Sequence, residues 1–240
     1  MINLKSINLS MAIIFIVIAV ELLSLTAIYF ANLVAPSFSE KHSSHVIAWL
    51  AIHHVILFSL TVSLMIAVFR MPLSEWGFNF NKWKTSLVII FAFAFSFSVA
   101  EFFYMNGRPY TPDPSFPLTT KNMLYWQGFQ YLLSGLGEEP LFRGFAIVLL
   151  SHGLQSTKLA MNHQQVLIVI LSTLIFMLAH LDIDWLSLSV SGFNFSQQTK
   201  ALQLGILYAI VFIHTRSLFA PIVLHGLSNG ITATIGFYFV

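Results

Sequence analysis

The chain has no cysteine among its 240 residues, and only 8% of its residues carry a charge. The absence of cysteine excludes disulfides, thiolate catalysis and zinc sites built from cysteine. A net charge of +2 provides no strongly basic surface, so nucleic acid is not expected as a partner. Apolar residues instead fill 57% of the positions, including 24 phenylalanines. An ordinary soluble domain is less apolar, so the composition predicts an integral membrane protein in contact with membrane lipid.

Long apolar stretches recur along the whole chain and are separated by short polar connections. Since a span needs roughly 20 mostly apolar residues, the pattern predicts an all-α, polytopic transmembrane helical bundle with about seven or eight spans. The first stretch is too long for the apolar region of a signal peptide, so we interpret it as a retained span. A polar loop is expected over 187–200, and residues 1–240 are expected to form one membrane domain. The predicted spans cover 11–34, 46–69, 86–105, 122–150, 166–185, 201–215 and 218–239.

Lysine and arginine predict the orientation of the bundle. Short connections on the cytoplasmic side of a membrane protein carry an excess of these residues. With the N-terminus inside, the inner connections carry Lys5, Arg70, Lys82, Lys84, Lys158 and Arg216. The outer connections then carry Lys41, Arg108, Lys121 and Lys200. This bias favours an inside N-terminus, and we expect the chain in a bacterial or archaeal cell membrane.

The fourth predicted span contains two adjacent carboxylates and an arginine. Charged groups inside a membrane span are costly and indicate function by default. On a helix, Glu139 and Arg143 are four residues apart and share a face, whereas Glu138 is rotated away by roughly 100°. Glu139 is therefore expected to contact Arg143, and Glu138 is free to face a cavity. Pro140 cannot donate a backbone hydrogen bond, so we expect the helix to kink or restart there.

Polar side chains also occur in three other predicted spans. His180 ends the sequence Phe176-Met-Leu-Ala-His180, and His225 precedes Asn229 by four residues, so the latter two share one helix face. His53 and His54 are adjacent and point to different faces, and we interpret them as packing or hydrogen-bonding residues. Each of these patterns alone is also typical of histidines satisfied within a bundle.

Three motifs together resemble a known family. Glu138-Glu139-x-x-x-Arg143, Phe176-x-x-x-His180 and His225-x-x-x-Asn229 have the order and spacing of the motifs in the CaaX proteases and bacteriocin-processing enzymes, also called the CPBP or Abi family. The Leu-Gly-Ile-Leu-Tyr stretch that ends at Tyr208 is similar as well. The resemblance covers roughly residues 127–230, and the motif-bearing core is placed at about 122–240. The first three spans are similar to the family only in being hydrophobic.

The resemblance implies an intramembrane peptidase with a helical bundle fold. Glu138 would then be the general base that activates water, and His180 would hold and polarise that water. His225 and Asn229 would stabilise the oxyanion, with Glu139 and Arg143 as structural support. These residue types suit the chemistry, because a carboxylate can accept a proton from water, and imidazole and carboxamide groups can donate to an oxyanion.

Several alternatives remain open at this stage. Glu138, His180 and His225 are also a possible zinc ligand set, but asparagine suits oxyanion binding better than zinc binding, so no cofactor is expected. A non-catalytic scaffold or a bacteriocin-immunity protein of the same fold is the alternative function. The substrate is a peptide or protein: a prenylated CaaX protein, a bacteriocin or signalling-peptide precursor, or a membrane-anchored protein.

Overall fold

The helices of the structure follow the predicted spans. The computed structural model describes residues 7–35, 43–106, 118–155, 157–184 and 189–239. Over these ranges the chain forms seven long helical runs, which we number α1 to α7, and this confirms the predicted all-α bundle. They are α1 (Leu9–Val34), α2 (Ser43–Leu64, continued by a π-helix over Met65–Phe69), α3 (Trp83–Met105), α4 (five segments from Thr120 to Leu154), α5 (Met161–Leu178), α6 (Phe195–Thr215) and α7 (Phe219–Tyr238).

Four helical stretches in the described part of the chain are long and apolar enough to cross a membrane by length and composition. They are Leu9–Val34, Val46–Phe69, Trp83–Met105 and Met161–Leu178. Large apolar side chains on their outer surfaces are exposed, such as Phe91 and Phe95 on α3. Contiguous exposed apolar surface of this kind marks contact with a membrane. The chain is therefore an integral membrane protein, as its composition predicted.

Helix α4 switches from α-helical to π-helical hydrogen bonding at two places along its length. Its α-helical segments Thr120–Gly128, Ser134–Glu139 and Val148–Leu154 are separated by π-helical segments over Phe129–Leu133 and Pro140–Ile147. Proline has no N–H to donate to the carbonyl four residues earlier, and the second π-helix begins at Pro140. The predicted irregularity at Pro140 is thus confirmed, as a wider helical segment that begins directly after the paired carboxylates.

Helix α4 is the central helix of the bundle. It contacts α1, α2, α5, α6 and α7, and residues 140–150 are all buried. A helix that is covered on every side needs no polar face, which explains the apolar sequence around Arg143.

Glycines allow α4 and α7 to approach closely next to the charged residues. A methyl group on Gly135 of α4 would collide with the carbonyl oxygen of Ile222, and one on Gly226 of α7 would collide with the carbonyl oxygen of Tyr131. Small residues at such crossings let two helix backbones meet inside a membrane. The close contact brings the His225 end of α7 next to the carboxylates of α4.

The prediction for residues 166–200 was wrong in three respects. Helix α5 ends at Leu178 rather than near residue 185, and a short antiparallel hairpin follows, with strands β1 (Asp182–Asp184) and β2 (Ser189–Gly192). Helix α6 begins at Phe195, within the predicted loop, because the side chain of Asn194 accepts a hydrogen bond from the backbone N–H of Gln197 and caps the helix. The hairpin and this first turn of α6 lie beside the cavities described below.

Candidate active site

Glu138 lies at the boundary between two cavities within the bundle. The first has a volume of about 470 Å³ and is lined by Glu138, His180, His225 and Asn229, among others. The second has a volume of about 610 Å³, lies toward α1 and α2, and is also lined by Glu138 and His180. The four residues that the sequence placed in the catalytic set therefore share one cavity, and two of them also reach the other.

The two carboxylate oxygens of Glu138 face different histidines. Oε1 lies 3.3 Å from Nε2 of His54, within hydrogen-bonding distance. Oε2 lies 3.9 Å from Nε2 of His180, which is beyond a direct hydrogen bond. Among the described residues Oε2 is buried and has no hydrogen-bond partner. The carboxylate thus has one oxygen held by the protein and one that is free to bind a water molecule or the substrate.

Both of these histidines are anchored in the same way. Nδ1 of His54 lies 2.8 Å from the carbonyl oxygen of Leu50, and Nδ1 of His180 lies 2.8 Å from that of Phe176. A carbonyl oxygen only accepts, so each Nδ1 carries a proton and donates it to the carbonyl four residues earlier. In each ring this leaves Nε2 directed at Glu138.

His180 comes after the end of α5, and a contact from α6 holds its backbone. The buried side-chain amide of Gln198 donates to the carbonyl oxygen of His180 over 2.9 Å. The early start of α6, which the sequence analysis missed, is what places Gln198 there. The His180 ring is partly exposed, as expected for a group that faces a cavity.

Glu139 is fully buried and contacts two groups. Its Oε1 accepts a hydrogen bond from Nδ1 of His225 over 2.7 Å, and its Oε2 lies 3.2 Å from Nε of Arg143. The predicted contact between Glu139 and Arg143 is therefore observed. The contact with His225 was not predicted, and it links the charge cluster of α4 to the third motif on α7.

Arg143 is held by its charge and by aromatic rings. Its N–H groups are not aligned for a hydrogen bond to Glu139, and the guanidinium has no hydrogen-bond partner among the described side chains. It lies instead 4.4 Å from the ring centre of Phe176 and 5.4 Å from that of Tyr208. A cation over an aromatic face is attracted by the ring's quadrupole, and the attraction is stronger away from water.

The ring of Phe176 joins the three motifs. It packs against the Arg143 guanidinium, and its centre lies 4.5 Å from the His180 ring and 6.1 Å from the His225 ring. This explains in physical terms why a phenylalanine precedes the histidine of the second motif by four residues. One buried ring thus lies against a residue of each motif.

His225 is fixed on its other face by Tyr208. The two rings stack with their centres 5.5 Å apart, and the Tyr208 hydroxyl forms a 2.8 Å hydrogen bond with Ser228. Asn229, one helical turn after His225, lines the first cavity. The i, i+4 spacing therefore puts an imidazole and a carboxamide on the cavity side of α7, as the sequence predicted.

The residues of the alternative zinc set do not form a metal-ligand cluster. Within the described ranges, no group of three or more histidine, cysteine, aspartate or glutamate side chains is placed to hold a metal ion. Nδ1 of His225 is directed at Glu139, and Nε2 of His180 lies 3.9 Å from Oε2 of Glu138.

His54 is a buried hydrogen-bonding residue, as interpreted from the sequence, and it is 7% exposed. Its contact with Glu138 was not predicted. The signal was present: two ionisable residues within an otherwise apolar span indicate function by default. His53 points elsewhere, stacks on Trp49 and lines the second cavity.

One comparison with known proteins finds a similar family. Residues 120–231 match the family model described as type II CAAX prenyl endopeptidase Rce1-like. The matched segment contains all three motifs. No curated protein and no solved structure matches the chain.

Proposed function

We propose that the chain is an intramembrane endopeptidase that hydrolyses a peptide bond of a membrane-associated substrate with a glutamate-activated water, since residues 120–231 are similar to the type II CAAX prenyl endopeptidases. The observation that supports this most is the state of Glu138. One of its oxygens is held by His54, and the other, without a partner among the described residues, faces His180 in a cavity shared with His225 and Asn229.

In the proposed reaction a water molecule binds between Glu138 and His180. Oε2 of Glu138 takes one proton from the water, and the resulting hydroxide attacks the carbonyl carbon of the scissile peptide bond. The carbonyl π electrons move to the oxygen, which becomes an oxyanion. The C–N bond then breaks, the leaving amine takes the proton from Glu138, and the carboxylate of Glu138 is restored.

The oxyanion is stabilised from α7 in this proposal. Nδ1 of His225 already donates to Glu139, so Nε2 can donate to the oxyanion only from an imidazolium, with both nitrogens protonated. The buried carboxylate of Glu139 is the counter-ion that stabilises this charge. The side-chain amide of Asn229 supplies the second donor. Such preorganised donors are usually the largest contribution to catalysis of acyl transfer.

No metal and no cofactor takes part in the proposed mechanism. The substrate is a peptide or protein in the membrane, and a prenylated protein with a C-terminal CAAX sequence is the first class to test, because the matched family model carries that description. We further propose that the protein lies in a bacterial or archaeal cell membrane with its N-terminus on the cytoplasmic side, because the inner connections carry more lysine and arginine.

The decisive experiment compares wild-type protein with Glu138→Gln in lipid nanodiscs. The probe is a farnesylated CAAX peptide with a fluorophore and a quencher on either side of the prenylated cysteine. We expect wild-type cleavage, and a rate for Glu138→Gln lower by on the order of 10²–10⁴, the usual contribution of a general base.

The scaffold alternative predicts a different outcome. The purified protein would then cleave neither this probe nor the membrane proteins of cells that express it, as followed by mass spectrometry of new peptide termini. A cellular phenotype that survives Glu138→Gln would also favour the scaffold. Correct folding of the variant is checked by size-exclusion chromatography in detergent.

A further inference from the structure

We propose that His54 is a positioning residue of the active site, which holds Oε1 of Glu138 so that Oε2 alone activates water. The inference rests on the proposed function, since it assigns a role in the same reaction. It adds a residue from α2, outside the segment that matches the family and outside the three motifs.

Two hydrogen bonds fix the position of the His54 ring. Nδ1 of His54 donates to the carbonyl oxygen of Leu50, which fixes the ring and leaves Nε2 lying 3.3 Å from Oε1 of Glu138. A ring nitrogen that close to a carboxylate oxygen has to share a proton with it. His54 therefore donates to Oε1 as an imidazolium, both while Glu138 is a carboxylate and after Oε2 has taken the proton from water.

His54 and His180 are arranged in the same way on either side of Glu138. Each ring is anchored through Nδ1 to the carbonyl four residues earlier, and each directs Nε2 at one oxygen of Glu138. The two distances differ, at 3.3 Å for His54 and 3.9 Å for His180. The shorter contact is a direct hydrogen bond, whereas the longer one leaves Oε2 to a water molecule that His180 also contacts.

The His54 ring lies in a slot on α4 that is formed by Gly137 and Phe129. A methyl group added to Gly137 would approach ring atoms of His54 to 2.6–2.9 Å, and the Phe129 ring packs against His54 at 4.9 Å, nearly perpendicular to it. Gly137 immediately precedes Glu138, so the absence of a side chain there lets His54 reach the carboxylate. A histidine present only to fill space would not need this gap on the neighbouring helix.

The experiment compares His54→Phe and His54→Gln with wild type, using the same farnesylated probe in nanodiscs. Phenylalanine fills the slot without a hydrogen-bonding group. We expect kcat to fall by roughly 10- to 100-fold, the effect of losing one hydrogen bond to a charged group, while KM changes little. Glutamine restores a side-chain N–H near the position of Nε2, so kcat should return to within a few-fold of wild type. His163→Phe, at an exposed position on α5, is the control and should leave kcat unchanged.

A second variant and a spectroscopic measurement keep the test independent of folding and of substrate choice. Gly137→Ala displaces the His54 ring without changing its chemistry, so it should lower kcat in the same way. In lipid-reconstituted protein with ¹⁵N-labelled histidine, Glu138→Gln should shift the ring-nitrogen signals that His54→Phe removes. These NMR signals report on the contact between His54 and Glu138 even if wild-type protein does not cleave the probe. Absence of cleavage by wild type would count against the proposed function and not against this contact. The inference is overturned if kcat of His54→Phe equals that of wild type, or if Glu138→Gln leaves the His54 signals in place.

Discussion

Nδ1 of His225 donates a hydrogen bond to Oε1 of Glu139 over 2.7 Å, and so connects the first and third motifs of the chain directly. The spacing of the motif alone predicts a contact of Glu139 with Arg143 and none with His225. In the structure the same buried carboxylate faces both a guanidinium and an imidazole. Glu139 therefore links the structural part of the site to the proposed oxyanion donors.

Glu139→Asp should lower kcat by roughly 10- to 100-fold, because the shorter side chain keeps its charge near Arg143 but loses the hydrogen bond to His225. The measurement is turnover of the prenylated peptide, together with the thermal unfolding temperature in detergent. Glu75→Asp, at an exposed position, is the control for the same chemical change. If Glu139→Asp turns over like wild type, His225 does not depend on Glu139 for its role.

Arg143→Ala should reduce the amount of folded protein as well as its activity. The arginine is 1% exposed, and removing it leaves buried negative charge on Glu139 and a gap beside Phe176. Removal of one partner from a buried ion pair costs about 3–5 kcal/mol. The measurement is the monodisperse fraction on size-exclusion chromatography, with Lys158→Ala at an exposed position as the control. A well-folded but inactive Arg143→Ala would instead place the arginine in the chemistry.

The residues that sequence reasoning placed correctly are those whose relationship is local. The contact of Glu139 with Arg143 follows from a spacing of four residues on one helix. The cavity face shared by His225 and Asn229 follows from the same spacing. The irregularity at Pro140 follows from the missing N–H of proline. None of these inferences requires knowledge of which helices are neighbours.

The contacts that sequence reasoning missed are those that depend on packing between distant segments. His54 and Glu138 are 84 residues apart, and His225 and Glu139 are 86 residues apart. Spacing along the chain contains no information on these pairs. Gly137 lets His54 reach α4, and Gly226 lets α7 approach α4. A glycine in an apolar span is, however, equally compatible with a helix that faces lipid. The hairpin after α5 was missed because its strands, Asp182–Asp184 and Ser189–Gly192, are too short to show a clear alternating pattern.

Gly226→Ala should disrupt the crossing of α4 and α7. A methyl group at this position meets the backbone carbonyl of Tyr131, and a backbone atom cannot move aside as the end of a side chain can. Separation of the helices would move His225, the preceding residue, away from Glu139. We expect lower unfolding temperature and lower activity together, with a loss of stability of about 1–3 kcal/mol, typical of overpacking.

Gly128→Ala provides the matched control for that substitution. Gly128 lies on α4, the other helix of the crossing, and a methyl group there meets nothing within 4 Å. Alanine is favoured over glycine within a helix, so this variant should be as stable as wild type or slightly more so. If Gly226→Ala and Gly128→Ala have the same unfolding temperature and activity, α4 and α7 do not approach closely at Gly226.

Asn229→Ala should slow turnover while leaving substrate affinity nearly unchanged. The carboxamide is proposed to donate to an oxyanion that exists only in the transition state, so its removal acts on kcat rather than on KM. Loss of one such donor typically lowers kcat by about 10²–10³. Asn229→Asp is an informative companion, because a negative charge facing the oxyanion should be at least as harmful. A large rise in KM at constant kcat would make Asn229 a substrate-binding residue instead.

Removal of metal ions should leave the activity intact. Glu138 is proposed to act on water directly, and the described residues provide no three-residue ligand set for a metal. Purified protein, dialysed exhaustively against a chelator, should cleave the prenylated peptide at the rate of untreated protein. Elemental analysis should find less than one zinc per chain. Activity that is lost on chelation and restored by zinc alone would mean that Glu138, His180 and His225 rearrange into a metal site. A zinc ion would then lie about 2.0–2.2 Å from their nitrogen and oxygen atoms, and the glutamate mechanism would have to be abandoned.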